Sequence, residues 1–124
     1  MNAIHTDNAP AAIGPYSQAI EVNGFVFASG QIPIDPATGI FVEGGIKSQT
    51  RLSLTNAQNN LKAAGTDLSH VVKTPVYLNS MDDFAAMNEV YAEFFSQPYP
   101  ARSAVAVEKL PKGALVEVEV LAAK

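Results

Sequence analysis

The sequence contains no cysteine. That absence excludes disulfides, zinc–thiolate sites and a cysteine nucleophile. Histidine is nearly absent: His5 and His70 stand far apart, in no metal-ligand spacing and in no nucleophile motif. Metal chemistry and serine–histidine catalysis therefore have no support. Positive charge is sparse. Arg51 and Arg102 are the only arginines, the lysines are scattered, and the formal net charge is −4. The basic stripe that a nucleic-acid phosphate backbone requires is missing. No run of about 18 apolar residues occurs, so a membrane span is not expected. The stretch Met1-Asn2-Ala3-Ile4-His5-Thr6-Asp7 has neither the charged nor the apolar region of a secretion signal, and the expected location is the cytoplasm.

What is present reads as one compact domain over residues 1–124. Hydrophobic residues make up 48% and charged residues 16%, a composition that builds a core and argues against disorder. So low a charged fraction in so short a chain leads to the expectation that part of the surface is covered in an oligomer.

Along the chain, residues 8–16 hold Pro10, Gly14 and Pro15 and read as an ordered loop. Asn23-Gly24 lies between Ala19-Ile20-Glu21-Val22 and Phe25-Val26-Phe27-Ala28. Asn-Gly between two β-prone runs is the strongest short hairpin signal. Residues 30–45 are rich in glycine and proline and read as an irregular connection, with room for a short strand at Ile40-Phe41-Val42. Ile46, Thr50, Leu54, Ala57, Leu61 and Ala64 recur at helical steps, and Gly65 fits the position just past a helix end. Val71 to Leu78 reads as a strand, although Pro75 inside it implies an edge, a bulge or an outward-facing N–H. Ser80 reads as the cap of a second helix reaching Phe95, with Asp83 at its third position. Its apolar stripe is Met81, Phe84, Met87, Tyr91 and Phe94. Two closing strands, Arg102 to Val107 and Leu115 to Ala122, are joined through Leu110-Pro111-Lys112-Gly113.

This order implies an α+β fold: a single mixed, mostly antiparallel sheet with two helices on one face. Val116, Val118 and Val120 point to the helices, while Leu115, Glu117, Glu119 and Leu121 point away. A second face bearing apolar residues calls for subunit contacts. Acids set into such a face are rim charges or a functional site, and spacing alone does not choose between them.

Three separated stretches resemble the Rid (YjgF) family of reactive-intermediate deaminases. They are Ala9-Pro10-Ala11-Ala12-Ile13-Gly14-Pro15-Tyr16-Ser17-Gln18-Ala19, then Ala28-Ser29-Gly30-Gln31-Ile32-Pro33, then Pro100-Ala101-Arg102-Ser103-Ala104-Val105. Lys109-Leu110-Pro111-Lys112, Val116-Glu117-Val118-Glu119 and the helical run from Asp83 to Tyr91 extend the match over essentially the whole chain. The resemblance implies a chorismate mutase-like fold and a homotrimer with sites between subunits. It also implies an activity: hydrolysis of 2-iminobutanoate- or 2-iminopropanoate-like acids, without a cofactor, to 2-oxo acids and ammonia. It casts Arg102 as the carboxylate anchor and Glu117 as the residue that positions or activates water. Tyr16, Ser29, Gly30 and Asn88 become substrate contacts, and Ala104 contributes a backbone carbonyl where the family often has cysteine.

The residue types suit that chemistry. Arginine's planar fork matches a carboxylate, and lysine's ammonium does not. A partly buried glutamate gains a raised pKa suited to proton transfer near neutrality. Because the last two strands follow one another through a turn, pairing between them is expected to carry Arg102 and Glu117 into one cleft. Arg102 as an exposed strand residue, Glu117 as a rim charge, Tyr16 as a packed aromatic and Asn88 as a backbone-bonded amide are the structural alternatives. A non-catalytic ligand-binding regulator and, less favoured by the acidic charge, a ribonuclease are the alternative functions.

Overall fold

The computed structural model describes all 124 residues. Its elements are β1 (Asn2–Ile4), β2 (Ala19–Val22), β3 (Phe25–Gln31), α1 (Ile46–Ala63), β4 (Val71–Leu78), α2 (Phe84–Phe94), β5 (Ala101–Ala106) and β6 (Val116–Ala123). The six strands form one sheet in the order β1-β2-β3-β6-β4-β5. Every neighbouring pair is antiparallel except β4–β5, which is parallel. Both helices pack on one face, giving the expected α+β layers. No helix is long and apolar enough to cross a membrane.

Local chemistry explains most elements. Asn23 and Gly24 take φ of 52° and 79°, so the β2–β3 hairpin closes through two positive-φ residues that match the strand twist. Helix α1 ends where Gly65 adopts φ of 84°, a conformation free of Cβ strain only for glycine. Leu54, Ala57 and Leu61 from α1 meet Val26, Val116, Val118 and Val120 from the sheet, all fully buried. Alternation along β6 places its valines under the helices and Glu117 and Glu119 on the other face. That other face also presents Phe25 and Phe27, 42% and 46% exposed.

Two local expectations are corrected, one strand was not foreseen, and the alternatives for Pro75 are narrowed. Ser80 caps a single 3-10 turn, Met81–Asp83, and α2 begins only at Phe84; Met81 consequently drops off the buried stripe and lies exposed. Residues 40–42 form no strand, only an isolated bridge between Ile34 and Phe41. Three-residue β1 pairs with β2 and was too short to show a period. Pro75 sits in an inner strand, not at an edge. The β4–β6 ladder is irregular between Val71 and Lys73, upstream of the proline, and Pro75 pairs with Ser103 across the parallel ladder.

The correction that matters most concerns the last two strands. β6 inserts between β3 and β4, and β5 lies at the sheet edge beside β4. The crossover through α2 makes β5 run parallel to β4, as a strand–helix–strand connection does. β5 and β6 are therefore not neighbours.

Candidate functional site

Arg102 lies on β5 opposite Thr74, on the helix-facing side of the sheet. Helix α2 holds its guanidinium with three side chains at i, i+4 and i+7 spacing. Asn88 Oδ1 accepts a hydrogen bond from Arg102 Nη1 at 2.7 Å. The guanidinium carbon stands 4.8 Å from the Tyr91 ring centre and 5.5 Å from that of Phe84, within cation–π range. Tyr91 is itself fixed by a 2.6 Å hydrogen bond between its hydroxyl and Thr74 Oγ1. Burial pushes the Tyr91 phenol up, against the opposing pull of Thr74 and of the Arg102 charge. Only one guanidinium N–H has a partner in the chain, so the fork can still grip a carboxylate. Beside it, Tyr99, Pro100, Asn88 and Tyr91 enclose a recess of about 340 Å³. Ala104 follows two residues along the same edge strand, half-buried opposite Val76.

Glu117 lies on β6 opposite Tyr77, on the face away from the helices. It lines a cavity of about 320 Å³ with Tyr16, Gly30, Gln31, Ile32 and Lys112. Its carboxylate packs directly on Gly30: a Cβ there would stand 2.7 Å from Glu117 Oε2 and 2.8 Å from Cδ. A side chain at residue 30 would have to displace the end of the Glu117 side chain. Burial, and secondarily the negative charge of Glu119, pushes the Glu117 carboxyl above the usual carboxylate range. Tyr16 stands at the rim, 52% exposed. Ser29 faces elsewhere: its hydroxyl donates to the Ser17 carbonyl at 2.7 Å.

Within one chain the predicted residues thus fall into two groups. Tyr16, Gly30 and Glu117 share one cavity, and Arg102 and Asn88 share another recess. Arg102 is opposite Thr74 and Glu117 opposite Tyr77. Three residues apart on β4, those partners face opposite sides of the sheet. The expected single cleft within a chain does not form.

Three buried amides in this region went unnoticed in the sequence. Gln18 and Gln31 line the Glu117 cavity. Asn56 of α1 reaches the same wall, donating to the Ile34 carbonyl at 2.9 Å. The signal was available for the first two, since a polar residue flanking a β-prone run that is buried needs a local partner. The largest depression, about 620 Å³, lies between residues 35–43 and α1 and holds none of the predicted residues. It is shallow, and its one guanidinium, Arg51, is tied to Glu93 at 2.9 and 3.2 Å. No three His, Asp or Glu side chains converge anywhere in metal-binding proximity.

Comparison with known proteins agrees with this architecture. A family model described as endoribonuclease L-PSP matches residues 6–124. A RutC family protein of Pyrococcus horikoshii is 57% identical, the match covering 98% of this chain and 96% of that one. A protein of Capra hircus named 2-iminobutanoate/2-iminopropanoate deaminase is 49% identical over 96% of this chain and 87% of its own. The crystal structure of RidA from the Antarctic bacterium Psychrobacter sp. superposes with a TM-score of 0.96 at 45% identity, covering 100% of both chains. With a family model that spans residues 6–124, relatives matching nearly every residue and a superposing RidA structure, the chain belongs to the Rid (YjgF) family.

Proposed function

We propose that the chain is a hydrolytic deaminase of 2-imino acids, acting as a homotrimer in which the Arg102 recess of one protomer closes on the Glu117 cavity of the next. The observation that carries this reading is the split itself. One chain holds a guanidinium with free N–H groups and a half-buried glutamate, each in its own open recess and on opposite faces of one sheet. The uncovered apolar face with Phe25 and Phe27 supplies a surface for a second copy. The deaminase name of a relative 49% identical supports the reaction class.

In this reaction Arg102 binds the substrate carboxylate with its free N–H groups, and Asn88, Tyr91 and Phe84 keep the fork aimed. Glu117 takes a proton from water as the water oxygen bonds to C2 of the iminium. The carbinolamine that forms receives that proton on nitrogen, the C–N bond breaks, and ammonia leaves as the hydroxyl oxygen gives its proton to Glu117 to yield the 2-oxo acid; the ammonia then takes that proton and departs as ammonium. A carboxyl group raised by burial suits both halves of this exchange. Tyr16 and Gly30 shape the cavity, and the carbonyl of Ala104 faces the iminium from the edge strand. Substrates with small aliphatic side chains are expected. The iminium carbon is already electrophilic, so no cofactor is required.

The test supplies an amino-acid oxidase with its substrate to generate imines and follows their decay. Wild type accelerates the decay and Arg102→Ala does not. No acceleration over buffer rejects the proposal. The family model's description names an endoribonuclease instead, but the net charge of −4 disfavours an RNA backbone as ligand.

A further inference from the structure

Residues 11–16 overhang the Glu117 cavity as a strap. They carry Ile13, 77% exposed, and Tyr16. The one hydrogen bond made by their backbone is local, from the Tyr16 N–H to the Gly14 carbonyl at 2.8 Å. The strap is therefore held only at its ends. At the far end, Ser29 fastens it through the Ser17 carbonyl at 2.7 Å and, by its own N–H, the Gln18 carbonyl at 3.0 Å. At the near end the fastening comes chiefly from one side chain. Gln18 is 4% exposed. Its Nε2 donates to the carbonyls of Thr6 at 2.9 Å, Pro10 at 2.9 Å and Ala9 at 3.3 Å. Its Oε1 accepts from the Thr6 N–H at 2.9 Å. Both N–H groups are thus committed to backbone, and no other uncharged side chain of similar size supplies two donors and an acceptor there.

We propose that Gln18 is a positioning residue for the Glu117 cavity: by fixing residues 6–10 it sets where Ile13 and Tyr16 stand over the carboxylate. Although Gln18 lines the cavity, its polar atoms are turned to the backbone, so it acts on a ligand through the strap. Leucine fills nearly the same volume and leaves three carbonyls and one N–H unpartnered. Glutamate keeps the bond from Thr6 and loses every donor, setting a negative charge against three carbonyl oxygens. The kinetic consequence rests on the proposed deaminase reaction; the structural one does not.

The experiment uses Gln18→Leu and Gln18→Glu in two arms. The chain has no tryptophan, so Tyr16→Trp introduces a single fluorophore on the strap. Acrylamide quenching of that fluorophore should rise about twofold or more when either Gln18 substitution is added, as a locally released segment requires. In the imine assay, with Tyr16 intact, each substitution should raise KM about tenfold and leave kcat within about twofold, the pattern of lost binding rather than lost chemistry. Unchanged quenching in whichever variant folds overturns the proposal. So does a fall in kcat with KM unchanged, which a general loosening of the fold would produce. Absence of imine turnover in wild type would instead reject the deaminase reading and leave the quenching arm to decide the role of Gln18.

Discussion

Replacing Gly30 by alanine tests the packing of Glu117 directly. The added Cβ would meet Glu117 Oε2 at 2.7 Å, Cδ at 2.8 Å and Cγ at 3.0 Å. Comfortable carbon contacts lie at about 3.5–4.0 Å, so the carboxylate must retreat by roughly 1 Å. Overpacking costs about 1–3 kcal/mol, and because the atoms met are the flexible end of a half-buried side chain the lower part of that range, about 1–2 kcal/mol, is expected. For a chain of this size that lowers the melting temperature by roughly 4–8 °C. A displacement of about 1 Å at a reacting group costs on the order of 100-fold in rate. The assay is a thermal melt, at fixed protein concentration, in two backgrounds. With wild-type Glu117 the full loss appears. With Glu117→Ala the three clashing atoms are gone, and Gly30→Ala should cost less than about 1 kcal/mol. Equal losses in the two backgrounds would show that Glu117 is not what demands glycine at residue 30.

Three further outcomes follow from the same geometry. Glu117 has a folded-state pKa above its ordinary 4.5, so the stability its protonated form contributes is present below that value and is lost as pH rises through the raised one. Glu117→Gln should therefore melt higher than wild type near pH 8 and equal to it near pH 4, and a constant gap at both pH values would contradict the burial argument. Asn88→Ala removes a 2.7 Å hydrogen bond to a charged group, a loss of about 1.5–3 kcal/mol that should lower kcat/KM at least about tenfold. Unaltered imine kinetics would show that Arg102 needs no such support. Phe27→Asp places a charge on the uncovered face; sedimentation should find monomers that retain their circular dichroism, and an intact trimer would remove this face from the interface.

Much of the fold was legible because its signals are local. The Asn23-Gly24 hairpin, the periodicity of α1 with Gly65 at its end, and the valine face of β6 each follow from residues a few positions apart. Sheet order is not local. Nothing near Leu110-Pro111-Lys112-Gly113 says that β6 passes over its sequence neighbour β5 to insert between β3 and β4. That single non-local fact also removed the edge from the alternatives open for Pro75. It separated Arg102 from Glu117 as well, although the family motifs had named both. The side-chain oxygen of Asn88 accepts a hydrogen bond from Arg102, a contact that the sequence did not indicate. Such a contact depends on how α2 crosses the sheet edge, which residue spacing does not encode.

Subunit mixing tests the shared site most directly. Arg102→Ala and Glu117→Gln are each expected to be inactive alone. When equal amounts are dissociated and reassembled together, a site drawing its arginine from one protomer and its glutamate from the next is intact in about one case in four in a random trimer. The mixture should therefore regain about a quarter of wild-type imine turnover. A mixture that reassembles into trimers yet stays as inactive as its components would contradict a site divided between protomers.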